Sequence, residues 1–154
     1  MKLSTLCFLL KDGQILLAMK KRGFGEGKWN GVGGKVQPDE SVSHAAVRET
    51  EEEIGVMAAE RDMEFMGELH FRSSTNEKLN WDVHVFFLRA WQGEPQESEE
   101  MRPQWYPIDQ LPFDRMWPDD RHWLPRLLAG EKIVGDFEFD PTGNDFLNIS
   151  IKPR

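Results

Sequence analysis

The chain has 154 residues, of which 39% are hydrophobic and 30% are charged, and its formal net charge is −8 at pH 7. This length fits a single domain spanning residues 1–154, and the acidic balance argues against binding a nucleic-acid polymer, which needs a basic surface. No stretch approaches the roughly 18 apolar residues of a membrane helix, and the single cysteine, Cys7, allows no internal disulfide and suits a cytoplasmic protein.

The N-terminal part of the chain predicts a β-hairpin followed by a glycine-rich loop. Residues 3–10 form an apolar run that indicates a buried strand. Asp12 and Gly13 form a hairpin turn signal before a second strand at 14–20. The glycines of the loop at 23–27 permit close approach of the backbone to a ligand. An anionic ligand would also meet the basic residues around this loop, which are Lys20, Lys21, Arg22, Lys28 and Lys35.

Residues 41–54 predict an amphipathic helix that ends at Gly55, a C-cap residue type. Glu49, Glu52 and Glu53 share one face of this helix, and like charges at such spacing destabilise a helix. A hard divalent cation such as Mg²⁺ would compensate, because it prefers carboxylate oxygens. The alternative interpretation is a solvated acidic face. The opposite, packed face is predicted to consist of Val42, Ala45, Ala46 and Thr50.

The middle of the chain predicts two long strands, at 63–71 and 79–91. The second strand carries apolar residues on both of its faces, which indicates burial on both sides. An acidic loop is expected at 93–103, followed by a short strand at 105–108.

The C-terminal part predicts a second helix at 119–129, irregular because Pro125 lies within it. Strands at 132–139 and 146–152 form a closing hairpin. Strands therefore dominate, and two helices pack around them, so the expected fold is an α/β sandwich with a mixed β-sheet.

The predicted first helix and the residues before it carry glycines and charged residues at fixed spacing: Gly34, Glu40, Arg48, Glu49, Glu52, Glu53 and Gly55. This pattern resembles the Nudix box, G-x5-E-x7-R-E-U-x-E-E-x-G-U, and every fixed polar and glycine position matches. Thr50 departs from the pattern, since the family has an aliphatic residue there, and this change should affect packing and not chemistry. The resemblance implies the Nudix-type α/β/α sandwich.

Outside the box, the chain resembles the branch of this family that hydrolyses oxidised purine nucleoside triphosphates. The matching segments are residues 19–25, 28–31, 33–37, 82–86, 100–103 and 116–120. The likeness weakens between Gly67 and Trp81, where the family's second pocket aromatic is not evident. Trp81 itself stands where the family usually has methionine.

This resemblance implies hydrolysis of 8-oxo-dGTP and 2-oxo-dATP to monophosphate and pyrophosphate, which sanitises the nucleotide pool. The implied cofactor is Mg²⁺, with Mn²⁺ as a substitute, and the implied partner is a small nucleotide bound by a monomer. Two alternatives are a Nudix pyrophosphatase for another modified nucleotide and a non-catalytic nucleotide sensor. Pure binding would not need the repulsive glutamate cluster, which argues against the sensor.

By matching positions, the resemblance implies a set of metal ligands and catalytic residues. Glu53 is favoured as the carboxylate that activates water, with Glu52 or Glu100 as rivals. Arg48 would orient a glutamate, since arginine forms planar pairs with carboxylates, and Glu40 would support the metal site from outside. The implied ligands are the Gly33 carbonyl, Glu49, Glu52, Glu53 and Glu100.

The resemblance also implies a purine pocket, which needs an apolar slot with a few polar groups. Trp117 can stack on a base, and Asn30 has both a donor and an acceptor. Two adjacent carboxyls, Asp119 and Asp120, would share a proton beside the purine edge, although Asp119 also suits a helix N-cap. Phe24 and the tryptophans have core packing as their alternative. The implied substrate-binding residues are Thr5, Lys20, Phe24, Asn30, Val32, Gly33, Gly34, Lys35, Trp81, Trp117, Asp119 and Asp120.

Overall fold

The computed structural model describes residues 2–154, which form one eight-stranded mixed sheet with a helix on each face. The helices are α1 (Val42–Ile54) and α2 (Asp120–Leu128). Short 3₁₀ turns occur at Glu60–Asp62, Glu77–Leu79 and Phe113–Arg115. The strands are β1 (Lys2–Lys11), β2 (Gln14–Lys20), β3 (Trp29–Asn30), β4 (Met63–Arg72), β5 (Trp81–Leu88), β6 (Met101–Pro107), β7 (Ile133–Phe139) and β8 (Phe146–Pro153).

The sheet mixes parallel and antiparallel pairs in the order β3-β2-β1-β5-β4-β7-β8, with β6 paired to β2. The pairs β1–β5 and β4–β7 are parallel, whereas β4–β5 and β7–β8 are antiparallel. The β1–β2 hairpin closes through Asp12 and Gly13, whose φ angles of 53° and 75° are those of a type I′ turn. The predicted α/β sandwich with a mixed sheet is therefore confirmed.

Each face of the sheet buries its own core. On one face, Trp123 of α2 packs with Phe8 and Phe87 of the central strands. On the other face, Ala46 and Ile54 of α1 pack with the neighbouring side chains of the same strands. Adjacent residues of a strand point to opposite faces, so β1 and β5 are buried on both sides, as their apolar runs predict.

Helix α1 has the expected boundaries, and its two ends are capped. The Ser41 hydroxyl accepts a hydrogen bond from the His44 N–H at 3.1 Å. Gly55 takes the left-handed conformation, with φ 71°, and its N–H donates to the Glu51 carbonyl. Thr50 is fully buried, and its hydroxyl donates to the Ala46 carbonyl at 2.7 Å. Threonine in place of the family's aliphatic residue is therefore accommodated in the buried face of α1, with its hydroxyl hydrogen-bonded.

Two predicted strand boundaries were wrong. The strand expected at 79–91 spans Trp81–Leu88, because Asn76 caps a 3₁₀ turn at Glu77–Leu79 just before it. The short strand expected at 105–108 is Met101–Pro107, because β2 pairs with it along its whole length. Among residues 2–154, no helix is both long and apolar enough to cross a membrane.

Candidate active site

Two adjoining cavities open beside β1, the loop at 23–28 and the start of α2. The first, which we call the apolar cavity, has a volume of about 190 Å³, and the second, which we call the basic groove, about 260 Å³. The two cavities are neighbours, because seven residues line both of them. The shared residues are Ser4, Thr5, Leu6, Phe24, Asn30, Trp81 and Trp117.

Aromatic side chains form most of the apolar cavity. The Trp117 ring packs against Phe24 at a tilt of 31°, with a centroid distance of 5.2 Å, and the Lys28 ammonium lies 5.3 Å from the Trp117 ring centroid. Trp81 donates from its indole N–H to the Lys78 carbonyl at 2.9 Å. Phe24, Trp81 and Trp117 thus line a cavity and do not belong to the core. The further lining residues are Leu69, Phe71, Leu79, Val83, Asp119, Asp120, Trp123 and Phe139.

Three aromatic residues that line this cavity, Phe71, Trp123 and Phe139, were not among the predicted substrate-binding residues. Phe71 occupies the segment in which no second pocket aromatic is evident, and it lies opposite Trp81 in the β4–β5 register. Its apolar position in an alternating strand was the available signal. Phe139 reaches the cavity from the end of β7, next to Phe71 in space at 6.1 Å between ring centroids. Nothing in its local sequence indicates this contact.

Asp119 and Asp120 lie inside the protein at the wall of the apolar cavity, with 6% and 1% of their surfaces exposed. Asp119 accepts a hydrogen bond from the Trp123 indole N–H at 2.8 Å, and Asp120 accepts from the Trp117 backbone N–H at 3.2 Å. The Asp119 side chain makes no capping hydrogen bond to α2. Its capping alternative is therefore wrong, because the carboxylate turns to Trp123 instead.

Burial raises the pKa of both carboxyls above the ordinary aspartate value. The adjacent negative charge of Asp119 raises the pKa of Asp120 further. Two carboxylates in one desolvated site do not both ionise easily. The pair therefore favours a state in which Asp120 holds a proton.

The basic groove contains the backbone turn that precedes the box helix. Thr5 N–H donates to the Gly34 carbonyl at 2.9 Å, which ties this turn to β1. Lys20 and Lys35 were predicted to bind the substrate, and Lys28 was expected only among the basic residues that an anionic ligand would meet; all three line this groove. The lining residues beyond the shared wall are Ala18, Lys20, Gly25, Lys28, Gly31, Gly33, Gly34, Lys35, Glu53 and Met101.

Glu53 presents its carboxylate to the groove. Its Oε2 accepts a hydrogen bond from the Gly33 N–H at 2.7 Å. Burial raises the pKa of Glu53 to about 8, and the negative charges of Glu49 and Glu100 also raise it, whereas the hydrogen bond from Gly33 and the charge of Lys20 lower it. The charges of Glu49, Glu100 and Lys20 are therefore close enough to Glu53 to influence its ionisation.

Arg48 organises the glutamates of α1. Its Nε and Nη2 donate to the two carboxylate oxygens of Glu40 at 2.7 and 2.9 Å, which holds the pKa of Glu40 at about 2. Nη1 donates to Glu49 at 2.9 Å and to Glu52 at 3.3 Å. Nη2 also donates to the Lys35 carbonyl at 3.1 Å. Both expected roles of Arg48, orienting a glutamate and pairing with Glu52, are thus present.

The donor set fits a hard divalent cation, although the side chains are not closed around one. In the described part of the chain, residues 2–154, no three acidic, histidine or cysteine side chains form a group that could hold a metal ion. Glu49 and Glu52 face Arg48, and Glu100 lies 3.5 Å from Arg22. Carboxylate and carbonyl oxygens are the ligands that Mg²⁺ prefers, and a cation would offset both the burial of the Glu53 charge and its repulsion by Glu49 and Glu100, which together raise the pKa of Glu53.

Val32 is the one expected substrate contact that the structure places elsewhere. Its side chain is 2% exposed and belongs to the core on the α1 side. Its N–H and carbonyl bond to Cys7 of β1 at 2.9 and 2.6 Å. Val32 therefore fixes the path of the turn and does not line either cavity.

The adjacent glycines of this turn should respond differently to an added methyl group. A Cβ on Gly33 would lie 1.9 Å from the Thr5 carbonyl oxygen, a backbone atom of β1, whereas a Cβ on Gly34 would lie 2.5 Å from the carboxyl carbon at the end of the Glu49 side chain, which can rotate away. We expect Gly33→Ala to lower the free energy of unfolding by about 3 kcal/mol. Gly34→Ala should cost less than about 1 kcal/mol but should lower turnover by displacing Glu49.

Urea unfolding and a turnover assay on both variants check this pair. Equal losses of stability at the two positions would contradict the close approach of Gly33 to Thr5.

This fold and this arrangement of glutamates define a class of protein. Residues 2–127 match the NUDIX domain, so the chain belongs to the Nudix family. It is 45% identical over 146 residues to the "Oxidized purine nucleoside triphosphate hydrolase" of Danio rerio, which covers 95% of this chain and 90% of that one. It is 46% identical over 138 residues to the Mus musculus protein of the same name, with 90% and 86% covered.

Solved structures of the family share the fold. A MutT protein from Bacillus halodurans superposes with a TM-score of 0.83 at 24% identity, covering 99% of this chain and 98% of that one. A MutT NUDIX hydrolase from Burkholderia pseudomallei gives a TM-score of 0.65 at 29% identity, with 72% and 86% covered. The architecture around the two cavities is therefore that of the Nudix fold.

Proposed function

We propose that the chain hydrolyses oxidised purine nucleoside triphosphates, such as 8-oxo-dGTP and 2-oxo-dATP, to monophosphate and pyrophosphate. The supporting observation is that an aromatic cavity with two buried carboxyls adjoins a basic groove that contains Glu53 of the Nudix box, and that seven residues line both. The first suits a flat heterocycle with hydrogen-bonding edges, and the second suits a polyphosphate. The names of the two animal relatives point to the same substrates.

In this proposal the base is recognised inside the apolar cavity. Trp117 offers a flat face for stacking, and its own ring is held by Phe24. Asn30 lines the same wall, and its Oδ1 accepts from the Gly31 N–H at 2.8 Å. Asp119 and Asp120 then meet the purine edge, where a protonated carboxyl donates a hydrogen bond and an ionised one accepts.

The phosphates would lie in the basic groove. Lys20, Lys28 and Lys35 line it and can neutralise phosphate charge. The residues that would hold Mg²⁺, or Mn²⁺ in its place, are the Gly33 carbonyl, Glu49, Glu52, Glu53 and Glu100. When bound, such an ion supplies charge neutralisation on the phosphates and lowers the pKa of a water molecule.

Glu53 is the proposed general base. A carboxylate can accept a proton from water, Glu53 lines the groove, and the Gly33 N–H fixes one of its oxygens. Glu52 and Glu100 are the rivals for this role. Arg48 would hold Glu49 and Glu52 in place, while Glu40 holds Arg48.

We also propose a monomeric, single-domain, cytoplasmic protein. A monomer suffices, because residues of one chain line both cavities. One continuous sheet connects residues from Lys2 to Pro153, which supports treating 1–154 as one Nudix domain. The buried free thiol of Cys7 suits the reducing cytoplasm.

A pyrophosphate-release screen tests the function. The purified chain is incubated with 8-oxo-dGTP, 2-oxo-dATP, their normal counterparts and a nucleotide sugar, each with Mg²⁺ and with a chelator. We expect release from the oxidised purines that the chelator abolishes. Preference for the nucleotide sugar would instead indicate another Nudix pyrophosphatase, and nucleotide binding without release would indicate a sensor.

Trp81 should influence which purine is preferred. Its indole is anchored by the Lys78 carbonyl and by the Lys2 ammonium 5.1 Å from the ring centroid. A methionine adapts its shape more readily than this anchored ring, so Trp81→Met should change the ranking of kcat/KM among modified purine triphosphates. The screen above, repeated on the variant, measures this. Equal effects on every nucleotide would indicate a packing role only.

A further inference from the structure

Two neighbouring lysines at the end of β2 point to different places. Lys20 lines the basic groove. The Lys21 side chain turns to the loop before β6, where its Nζ donates to the Ser98 carbonyl at 2.8 Å and pairs with Glu97. The Lys21 backbone N–H donates to the Glu100 carbonyl at 2.8 Å. Lys21 therefore holds the loop at 97–100 through both its backbone and its side chain.

The same loop is folded around Ser98. The Ser98 hydroxyl accepts from the Glu100 N–H at 3.3 Å and from the Met101 N–H at 3.1 Å, and the Ser98 N–H donates to the Met101 carbonyl at 2.9 Å. Holding Ser98 therefore also holds the backbone of Glu100.

Arg22 does not provide an equivalent anchor. Its guanidinium lies 3.5 Å from both Glu99 and Glu100, and its side chain is 60% exposed, compared with 31% for Lys21. Exposed pairs of this kind contribute little. The hydrogen bonds of Lys21 are shorter and less exposed, so the position of Glu100 depends mainly on Lys21.

We propose that Lys21 is a positioning residue that presents Glu100 to the divalent cation of the active site. This inference rests on the proposed function. A free loop would lose conformational entropy whenever Glu100 became a ligand, whereas Lys21 orders the loop beforehand. Partners of metal ligands commonly change metal affinity by roughly 10- to 100-fold when removed.

A double-mutant cycle on metal binding tests the inference without using turnover. The dissociation constant of Mn²⁺ is measured by titration calorimetry on nucleotide-free protein for the wild type, Lys21→Met, Glu100→Gln and the double variant. We expect Lys21→Met to weaken Mn²⁺ binding about tenfold. It should have no further effect once Glu100 is glutamine, because coupled residues are not additive.

Further variants separate positioning from general damage. Lys21→Arg keeps a cationic donor and should retain most of the affinity, and Lys11→Met, at an exposed lysine that ends β1, should retain all of it. Should Lys21→Met fail to fold, Glu97→Gln removes the negative charge that pairs with the Lys21 ammonium. It should weaken Mn²⁺ binding only while Glu100 is present.

Three results have distinct meanings. Independent, additive losses for Lys21 and Glu100 would overturn the positioning role. Unchanged affinity in Lys21→Met, or in Glu97→Gln when that variant is the one tested, would overturn it as well. A wild-type chain that binds no Mn²⁺ would instead refute the proposed metal-dependent function itself.

Discussion

Glu53→Gln should lower turnover of 8-oxo-dGTP by roughly 100- to 10,000-fold, the range contributed by a general base, while the chain stays folded. Glutamine keeps the shape and can still accept from the Gly33 N–H, but it cannot take a proton. The carboxylate it replaces is largely buried and repelled by Glu49 and Glu100. Losing that charge should therefore not destabilise the fold. Pyrophosphate release at saturating Mg²⁺ and thermal unfolding measure the two effects.

Matched variants of neighbouring glutamates on α1 show whether the loss of turnover is specific to the box positions. Glu52→Gln should also lower turnover by orders of magnitude, because it removes a proposed ligand. Glu51→Gln changes an exposed glutamate between box positions and should leave turnover close to normal. Near-normal turnover in Glu53→Gln would show that Glu53 is not the general base, and Glu52 or Glu100 would then be the candidates for that role.

Asp119→Asn and Asp120→Asn should each change the ratio of kcat/KM between 8-oxo-dGTP and 2-oxo-dATP by about tenfold, the effect of one mismatched hydrogen bond. The two purines present different donors and acceptors, and one carboxyl pair can meet both by moving a proton. An asparagine side chain has a fixed donor and a fixed acceptor, so it cannot change its hydrogen-bonding pattern by moving a proton. Since Asp119 makes no side-chain cap, the loss of stability expected for a broken helix cap should be absent.

The pH dependence follows from the raised pKa of Asp120. In the wild type the ratio of kcat/KM for the two substrates should change as the pH rises through that pKa, and in Asp120→Asn the ratio should stay constant. An acid with a raised pKa binds more protons in the folded chain than in the unfolded chain. Its contribution to stability is thus full below the ordinary pKa of 3.8 and is lost as the pH rises through the folded value.

Asp109→Asn, a change at an exposed turn, is the control for both measurements. Identical pH profiles for the two substrates in the wild type, with unchanged ratios in both asparagine variants, would eliminate base recognition by this pair.

The parts of the fold that were predictable rest on local patterns. Ser41 and Gly55 delimit α1 because each satisfies backbone groups at a helix end by itself. The two-sided burial of β5 over residues 85–88 follows from the apolar residues on both of its faces. By contrast, β6 begins at Met101 inside an acidic stretch, and it does so because β2, some 80 residues earlier, supplies its hydrogen-bonding partner. Such long-range pairing leaves no local signal.

The candidate site divides in the same way. The box glutamates and Arg48 are recognisable because a fixed helical spacing carries them. Phe139 and Trp123 enter the apolar cavity only through tertiary packing. The resemblance implied that Val32, like Gly33, contacts the substrate, but neighbours along an extended segment point to opposite sides. Its side chain consequently belongs to the core.

The contacts of Arg48 imply that a divalent cation, when it binds, takes the place of the Arg48 guanidinium as the positive partner of the glutamates on α1. Its donors already hold Glu49 and Glu52, and Glu40 with the Lys35 carbonyl would keep the guanidinium in place if those two carboxylates turned away. The acidic helix is thus supplied with an internal counterion before any metal arrives. Chelation should inactivate the chain without unfolding it, and restoring Mg²⁺ should restore activity without refolding. Lysine could not replace this arginine, because the planar guanidinium reaches carboxylates on several sides at once and a single ammonium does not.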